Sequence, residues 1–293
     1  MNRRLAAIAR GRAAFLVLFS CALAVFPQRV VSLAPGLTEI VFALGRGGSL
    51  VGVTKFCDFP PQAGKIAKVG GCLDVNLEAL LARAPDVVLA YPEHAPRLRA
   101  LPANVRVVTV RHGSLSDLLA SMSEIGRALG RERAAQSLIG RIRERLERLA
   151  AKADGRRRAR VLFVAGRSAG ELRNMFIVGS HDFLNDLLQA AGGVNAYQGR
   201  IAYPSISLET VIALAPEFIF EISSHHEGIA DEEIFSLWRP LAMVPAVANR
   251  RVQVIRDPAW LRPGPRVAQV AEELARLLHP PARAAQGPAG QKP

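Results

Sequence analysis

Apolar residues recur at intervals of three and four between Arg131 and Ala153, which predicts one long amphipathic helix. Arginine and glutamate residues fill most of the other positions, so one face is buried and the opposite face is solvated. The apolar stripe consists of Ala135, Leu138, Ile142, Leu146 and Leu149. At about 1.5 Å per residue, such a helix spans roughly 35 Å, about the diameter of a small domain. It is long enough to connect two lobes, although an ordinary surface helix would show the same stripe.

The pattern L-E-x-x-x-A-x-A-P occurs once on each side of this helix, at residues 77–85 and 208–216. Each copy follows an N-cap residue, Asn76 or Ser207, and ends at a proline, where helices usually stop. A carboxylate and a run of β-branched or aromatic residues come next, so both copies encode the same helix-to-strand unit. Two similar α/β lobes that flank the long helix are the simplest interpretation, and chance similarity between two such units is the alternative.

The rest of the chain alternates between predicted strands and predicted helices. Strands are predicted at 29–33, 50–54, 87–91, 105–110, 159–165, 217–222 and 251–255, and helices at 37–44, 115–129, 183–191 and 267–278. The strands are runs of Val and Leu without polar alternation, which is typical of parallel sheets covered on both faces. We therefore expect an α/β protein with an N-terminal lobe at 25–114, a helical linker at 115–155 and a C-terminal lobe at 156–280.

The two ends of the chain are predicted to lie outside these lobes. Residues 1–24 combine a basic start, an apolar stretch and the cleavage pattern Ala22-Leu23-Ala24, which indicates an export signal and a mature chain that starts at Val25. The alternative interpretation is a lipoprotein, because L-F-S-C resembles a lipobox that would place a lipid on Cys21. Residues 281–293 are rich in Ala, Gly and Pro and are expected to be disordered. We expect a periplasmic protein.

The net charge of +13 does not indicate nucleic-acid binding, because much of it lies in the leader, on the solvated face of the long helix and in the run Arg156 to Arg160. No helix-turn-helix, finger or basic patch with interleaved aromatic residues accompanies the charge. The mature chain would keep two cysteines, Cys57 and Cys72, and both a disulfide and two unpaired thiols are open.

One motif favours an enzyme. Gly166 to Gly170 reads G-x-S-x-G after a predicted strand, with Ser168 as the nucleophile and with Asp257 and His279 downstream in hydrolase order. The segment that follows contains β-branched residues, Asn and Gly, although a nucleophile elbow should open a helix. We therefore expect no enzyme, and a serine hydrolase is the alternative from a different class.

The histidines do not have the spacing of a metal site, and the pair His225-His226 is interpreted as solvated. No resident metal or cofactor is expected. An axial ligand to a haem iron stays open, with His94, His225, Tyr91 and Tyr203 as the candidates.

Four segments together resemble the periplasmic substrate-binding proteins of ABC importers for cobalamin, ferric siderophores and haem. They are R-V-V-S-L-A-P-G-L-T-E-I from Arg29, V-G-V-T-K-F-C-D-F-P-P-Q-A from Val51, V-G-G-C-L-D-V-N-L-E from Val69 and I-S-L-E from Ile206. The similarity extends to His279, and D-F-P-P-Q-A is closest to the vitamin B12 binders. It implies two Rossmann-like lobes bridged by one long helix, a ligand in the cleft between them, and docking onto an inner-membrane permease with its ATPase.

The resemblance also implies which residues form the ligand cleft. By position in the family pattern, the residues that face the cleft are Phe56, Cys72, Tyr203 and Trp260, with Asp257 and Arg262 at its edge. Tyr203 and Trp260 lie in proline-flanked loops, which favours the cleft over the core. A cleft with aromatics and few charges suits a bulky macrocycle better than a trianionic siderophore. Cobalamin is the leading ligand, and haem or a ferric siderophore is the alternative, because Cys72 stands where B12 binders usually have a large aromatic residue.

Glu78 and Glu209 are the expected docking residues. Each lies two residues after its N-cap in a matched copy of the repeat, where the family resemblance places docking glutamates. One first-turn glutamate would only complement the helix dipole, but two in matched positions suit a permease with two similar subunits. We expect a monomer that binds a small molecule and the permease.

Overall fold

The computed structural model describes residues 28–222 and 228–280, which form two β-sheets flanked by helices. The predicted export signal with Cys21, the His225-His226 pair and the predicted tail lie outside the described residues. None of the helices within these two ranges is long and apolar enough to cross a membrane.

The N-terminal sheet contains four parallel strands. They are β1 Val30–Ser32, β2 Leu50–Val53, β3 Val87–Ala90 and β4 Arg106–Thr109, in the order β2-β1-β3-β4. The helices of this half are α1 Pro35–Ala43, α2 Leu77–Leu81, α3 Ala95–Leu98 and α4 Leu115–Ala128, followed by the long helix α5 Glu132–Ala153. Every residue of β3 is buried, as expected for a parallel strand that is covered on both faces.

The C-terminal sheet is mixed. Its strands are β5 Ala159–Gly166, β6 Met175–Ile177, β7 Gly193–Asn195, β8 Ser205–Ile206, β9 Phe218–Ile222 and β10 Val252–Ile255. Its helices are α6 Phe183–Ala190, α7 Leu208–Leu214, α8 Asp231–Trp238, α9 Pro245–Ala248 and α10 Val267–Leu278. Strands β10, β9, β5 and β7 pair in parallel, whereas β6 and β8 form an antiparallel edge. The prediction of an α/β fold with mostly parallel sheets is confirmed.

Helix α5 connects the two halves. At its start, Arg131 donates from Nε to the Leu44 carbonyl at the end of α1 (3.1 Å). Along its length, Arg145 binds both carboxylate oxygens of Glu272 in α10, at 2.9 and 2.7 Å. Its buried stripe includes Ala135, Leu138, Ile142 and Leu146, as the periodicity predicted. The helix is therefore fixed to an element of each half.

One apolar core continues through both halves of the molecule. It contains Leu37 and Val87 from the first half, Ile142 from α5, and Phe163 and Leu274 from the second half. Because protein interiors are close-packed and deform little, a shared core restricts how far the two halves can move against each other.

The two copies of the repeat have the same local structure. The side chains of Asn76 and Ser207 each accept a hydrogen bond from the backbone N–H three residues further along, at 2.9 and 3.4 Å. Both helices are followed by an alanine in the left-handed region, Ala84 at φ 42° and Ala215 at φ 43°. Short connections then lead into β3 and β9. Helices α2 and α7 thus run antiparallel to these strands, and their first turns lie at the carboxyl edges of the sheets.

Candidate functional site

A cavity of about 790 Å³ lies between the two halves, at the carboxyl ends of their parallel strands. Lys55 and Phe56 follow β2, Tyr91 follows β3, Ile222 ends β9 and Asp257 follows β10. Ligands in α/β proteins bind at this edge of the sheet, because the loops that leave the strands meet there. The volume lies within the usual range of small-molecule sites.

Aromatic side chains from both halves line this cavity. Phe56 is 48% exposed and Tyr203 is 43% exposed, and they belong to opposite halves of the molecule. The buried residues Tyr91 and Phe183 and the half-buried His112 also line this cavity. Exposed aromatic rings that face a cavity from both sides offer flat apolar surface to a flat ligand.

A hydrogen bond to Asp182 fixes the orientation of Tyr203. The Tyr203 hydroxyl donates to Asp182 Oδ2 at 2.8 Å, and Asp182 Oδ1 accepts the Leu184 N–H at the start of α6 (2.9 Å). Burial raises the pKa of Asp182 to about 6 and also raises the pKa of the Tyr203 hydroxyl. The ring therefore faces the cavity, while the hydroxyl is bound by Asp182 in the cavity wall.

Two buried polar atoms at the cavity have no partner within the described residues: the Tyr91 hydroxyl and His94 Nε2. His94 Nδ1 lies 2.9 Å from the Tyr91 backbone nitrogen and 3.2 Å from the Tyr91 carbonyl oxygen, so the contacts of this nitrogen fit either tautomer of the ring. Burial raises the pKa of the Tyr91 hydroxyl, which keeps it protonated and therefore a hydrogen-bond donor. Buried polar atoms are nearly always paired, so the absence of a partner for these two atoms among the described residues is unusual.

Both cysteines near the cavity are free thiols, which settles the question that the sequence left open. Thr54 Oγ1 lies 3.2 Å from Cys57 Sγ and 3.9 Å from Cys72 Sγ. Cys57 is buried, whereas the half-buried Cys72 lines the cavity, and burial raises the pKa of its thiol. Cys72 therefore presents a protonated, weakly polar group to the cavity.

Charged residues join the two halves at the edge of the cavity. Arg262 binds both carboxylate oxygens of Asp58, at 2.5 and 3.0 Å, and this pairing lowers the pKa of Asp58. Asp257 accepts from its own turn, at the Ala259 N–H (2.8 Å), and from Arg266 (3.4 Å). Both predicted edge residues, Asp257 and Arg262, thus line the cavity, and both are already paired.

The prediction that Trp260 faces the cleft is wrong. Its side chain is 0% exposed, and its ring centroid lies 6.4 Å from that of Phe163 and 5.6 Å from that of Phe220. Its Nε1 donates to Glu273 at 3.1 Å. The turn Pro258–Leu261 directs Trp260 inward, whereas Leu261 lines the cavity. Of the predicted cleft residues, the cavity brings together Phe56, Cys72, Tyr203, Asp257 and Arg262.

Several residues of the cavity wall were not predicted from the sequence, and Tyr91 and His94 were predicted only as candidate haem ligands. The further lining residues include Lys55, Leu73, Glu93, His112 and Arg256. A positional signal was present for some of them, because Tyr91 directly follows β3 and His112 comes soon after β4. The residues that leave parallel strands at their carboxyl ends are the first candidates for a site in this class of fold.

Helices α2 and α7 carry the predicted docking residues. Glu78 and Glu209 are both exposed, and neither forms an ion pair within the part of the chain that the structure describes. The Ser207 hydroxyl lowers the pKa of Glu209, so this carboxylate is charged at neutral pH. Both glutamates lie at the cavity end of their halves, since the first turns of α2 and α7 lie at the carboxyl edges of the sheets.

The residues of the G-x-S-x-G motif have structural partners. Ser168 accepts from Asn174 Nδ2 at 3.0 Å, and the chain continues into strand β6 rather than into a helix. Arg167 is buried and donates to Glu221 at 2.5 Å, and it also binds the carbonyls of Ser168 and Glu171. Within the described ranges, no hydrogen bond joins Ser168 to Asp257 or His279. The three residues do not form the arrangement of a catalytic triad.

No group of three or more His, Cys, Asp and Glu side chains is arranged to hold a metal ion within the described ranges. The wall of the cavity combines aromatic rings with charged residues at its edge.

Comparisons with known proteins agree with this architecture. The model of a family described as periplasmic binding protein matches residues 30–259. A vitamin B12-binding protein of Vibrio parahaemolyticus is 27% identical over 253 residues, which cover 84% of this chain and 88% of that protein. An uncharacterised ABC transporter substrate-binding lipoprotein of Bacillus subtilis is 28% identical over 264 residues, covering 87% of this chain and 81% of that protein.

A solved structure shows the same fold. A periplasmic heme binding protein from Pseudomonas aeruginosa superimposes with a TM-score of 0.75 at 28% identity, covering 87% of this chain and 94% of that chain. The family model extends over both halves of the molecule and over most of the cavity wall. This chain belongs to the periplasmic binding protein family.

Proposed function

We propose that this protein is exported to the periplasm, binds a corrinoid such as cobalamin in the cavity between its halves, and delivers it to an ABC permease. The observation that carries the proposal is a cavity with exposed aromatic rings from both halves and with two polar atoms in its wall that have no partner among the described residues. The similarity to the vitamin B12-binding protein of Vibrio parahaemolyticus supports a corrinoid, and the similarity to the ABC transporter substrate-binding lipoprotein of Bacillus subtilis supports an ABC transporter as the partner.

The chemistry of the cavity suits a large neutral macrocycle. Phe56 and Tyr203 offer flat apolar surface from opposite sides, as required for a ring system that enters edge-on. A corrin carries amide side chains at its periphery, and amide carbonyls accept hydrogen bonds. The Tyr91 hydroxyl is a donor without a partner among the described residues, and a buried donor gains about 1 kcal/mol or more when it is paired.

Haem is the second candidate, and the observation that favours it is the Tyr91 hydroxyl, an oxygen ligand type that haem iron accepts. The heme-binding Pseudomonas aeruginosa structure has the same fold. One feature of the cavity opposes this alternative. Burial raises the pKa of Tyr91, which disfavours the phenolate.

Glu78 and Glu209 are proposed to bind the permease. They are exposed, form no ion pair among the described residues, and are matched in the two copies of the repeat. A pair of equivalent carboxylates suits a permease whose two similar subunits each present a cation. Charge-assisted pairs of this kind set orientation and register.

Titration calorimetry with the purified protein tests the ligand. We expect one equivalent of cobalamin to bind, and haemin and ferric siderophores to bind far more weakly or not at all. Tight binding of haemin with a shifted Soret band, without cobalamin binding, would move the assignment to haem.

A fluorophosphonate probe tests the rival class. We expect no labelling of Ser168, because its hydroxyl has no histidine partner within residues 28–222 and 228–280. Stoichiometric labelling that disappears in Ser168→Ala would instead support a serine hydrolase.

A further inference from the structure

The docking helices α2 and α7 match in their apolar surface as well as in their glutamates. Leu80 and Val211 are equivalent and fully buried. The next residues, Leu81 and Ile212, are equivalent and exposed, at 41% and 39%. A single exposed aliphatic residue is ordinary in a soluble protein. The same exposure at the same position of both copies is a feature of the repeat.

Each of these aliphatic residues adjoins a docking glutamate. Leu81 lies three residues after Glu78, and Ile212 lies three residues after Glu209. Residues three apart on a helix share one face, with their β-carbons about 5 to 6 Å apart. Each half of the molecule therefore presents a carboxylate beside an apolar side chain, and we call these two surfaces the paired patches.

The same kind of anchor holds both patches in place. Arg29, just before β1, donates to the Arg83 carbonyl at 2.6 Å, immediately after α2. Arg160, in β5, donates to the Leu214 carbonyl at the end of α7, also at 2.6 Å. Each patch is thus fixed to the sheet of its own half, which provides the rigidity that a binding surface needs.

We propose that the permease recognises each half through a two-point contact, in which Leu81 and Ile212 pack against apolar residues of the permease and shield the neighbouring glutamate ion pair from water. This inference rests on the proposed docking role of Glu78 and Glu209. The partner surface has a defined chemistry: a cationic side chain with an apolar side chain beside it, repeated on two equivalent subunits. Apolar residues around a charged contact increase its contribution to binding, because they exclude water from it.

The test uses the cognate permease and ATPase, purified together in lipid nanodiscs, and measures their association with the full-length binding protein. The variant is the double substitution Leu81→Ser with Ile212→Ser. We expect at least a tenfold loss of affinity for the importer, a steeper dependence of that affinity on salt concentration, and unchanged affinity for cobalamin. The change in salt dependence reports the loss of shielding, because exposed ion pairs are screened more strongly than desolvated pairs.

Met243→Ser is the matched control. Met243 is an even more exposed apolar residue, at 64%. It lies close to α9, where the Ala246 N–H donates to the Pro216 carbonyl. Pro216 precedes the amino end of β9, which is the end away from the cavity and from the first turn of α7. We expect this variant to bind the importer normally, and we expect Leu81→Met with Ile212→Met to retain most of the affinity.

The outcomes separate this inference from the docking proposal. If Glu78→Ala with Glu209→Ala loses importer binding while the double serine variant binds like the wild type with the same salt dependence, the two-point contact is refuted and the docking proposal stands. If the wild-type protein does not bind the importer at all, both are refuted. An equal loss in Met243→Ser would show that the effect is not specific to the paired patches and would also refute the inference.

Discussion

Arg266 and Glu39 form a bidentate ion pair that joins the two halves of the molecule. Arg266 Nε lies 2.9 Å from Glu39 Oε2, and Nη2 lies 2.7 Å from Oε1. Glu39 is 3% exposed, and among the described residues its carboxylate forms an ion pair with Arg266. The Arg266 guanidinium also lies over the ring of Phe59, with 4.2 Å to the centroid. The pair therefore fixes the geometry of the halves close to the cavity.

Removal of one partner of this pair should destabilise the protein strongly. We expect Arg266→Met to lower the free energy of unfolding by about 3 to 5 kcal/mol, because it leaves the Glu39 carboxylate buried and unpaired. Urea unfolding measures the change. The double substitution Arg266→Met with Glu39→Leu should recover much of the loss, since neither charge then remains.

The exposed pair of Arg148 and Glu144 provides the control for this prediction. Arg148→Met should change the stability by no more than about 0.5 kcal/mol, as is usual for exposed helical pairs. A similar small effect of Arg266→Met would contradict the structural role of the buried pair.

Trp260→Ala should act on stability and not directly on ligand contact. Trp260 is fully buried against Phe163 and Phe220, and truncation of such a residue costs about 3 to 5 kcal/mol. Thermal and urea unfolding measure this loss. A variant with the wild-type melting temperature but much weaker ligand binding would place Trp260 at the ligand after all.

The error over Trp260 shows where sequence reasoning stops. A proline-flanked loop was correctly predicted, but a single turn decides which of its side chains points inward, and Trp260 points to the core while Leu261 points to the cavity. No periodicity covers so short a segment. For α5 the same question was answered by a stripe that repeats over several turns, and the buried residues agree with it.

The repeat was predictable for a related reason. The N-cap residues Asn76 and Ser207 and the prolines that follow act locally, and each sets a helix boundary with little help from the rest of the fold. The antiparallel edge formed by β6 and β8 was not predicted, because its strands are only three and two residues long. The unpartnered state of Tyr91 and His94 depends on tertiary contacts, and no local pattern encodes it.

Tyr203→Ala should weaken binding of the corrinoid by about 1 to 3 kcal/mol without unfolding the protein. The ring is exposed to the cavity and contributes little to the core, so its loss removes ligand contact. Calorimetric titration with cobalamin measures the affinity, and circular dichroism confirms the fold. Tyr203→Phe keeps the ring and should bind nearly as well, and an equal loss in both variants would contradict a stacking role.

Asp182 should make the stability fall as the pH rises. Burial raises its pKa from 3.8 to about 6, so between these values the folded state holds a proton that the unfolded state releases. The free energy of unfolding therefore decreases through this window, by up to about 3 kcal/mol for this group. Asp182→Asn keeps an oxygen to cap α6 and removes the titration.

The measurement for Asp182 is urea unfolding of the wild type and of Asp182→Asn between about pH 4 and pH 7. The difference between the two isolates this carboxyl from other titrating groups. We expect the wild type to lose stability relative to the variant as the pH rises. A constant difference across the window would show that the pKa of Asp182 is not raised.

Glu78→Ala with Glu209→Ala should impair delivery of the ligand to the importer and leave ligand binding in solution unchanged. Both carboxylates are exposed and lie outside the cavity wall, so the affinity for cobalamin in solution should equal that of the wild type. Stimulation of the ATPase of the reconstituted importer should fall well below that of either single variant, because a single remaining glutamate still orients one half on one subunit. Substitution of the exposed Glu124, which lies on α4, is the matched control and should leave stimulation unchanged. Full transport by the double variant would contradict the docking role and would show that Glu78 and Glu209 only complement the helix dipoles of α2 and α7.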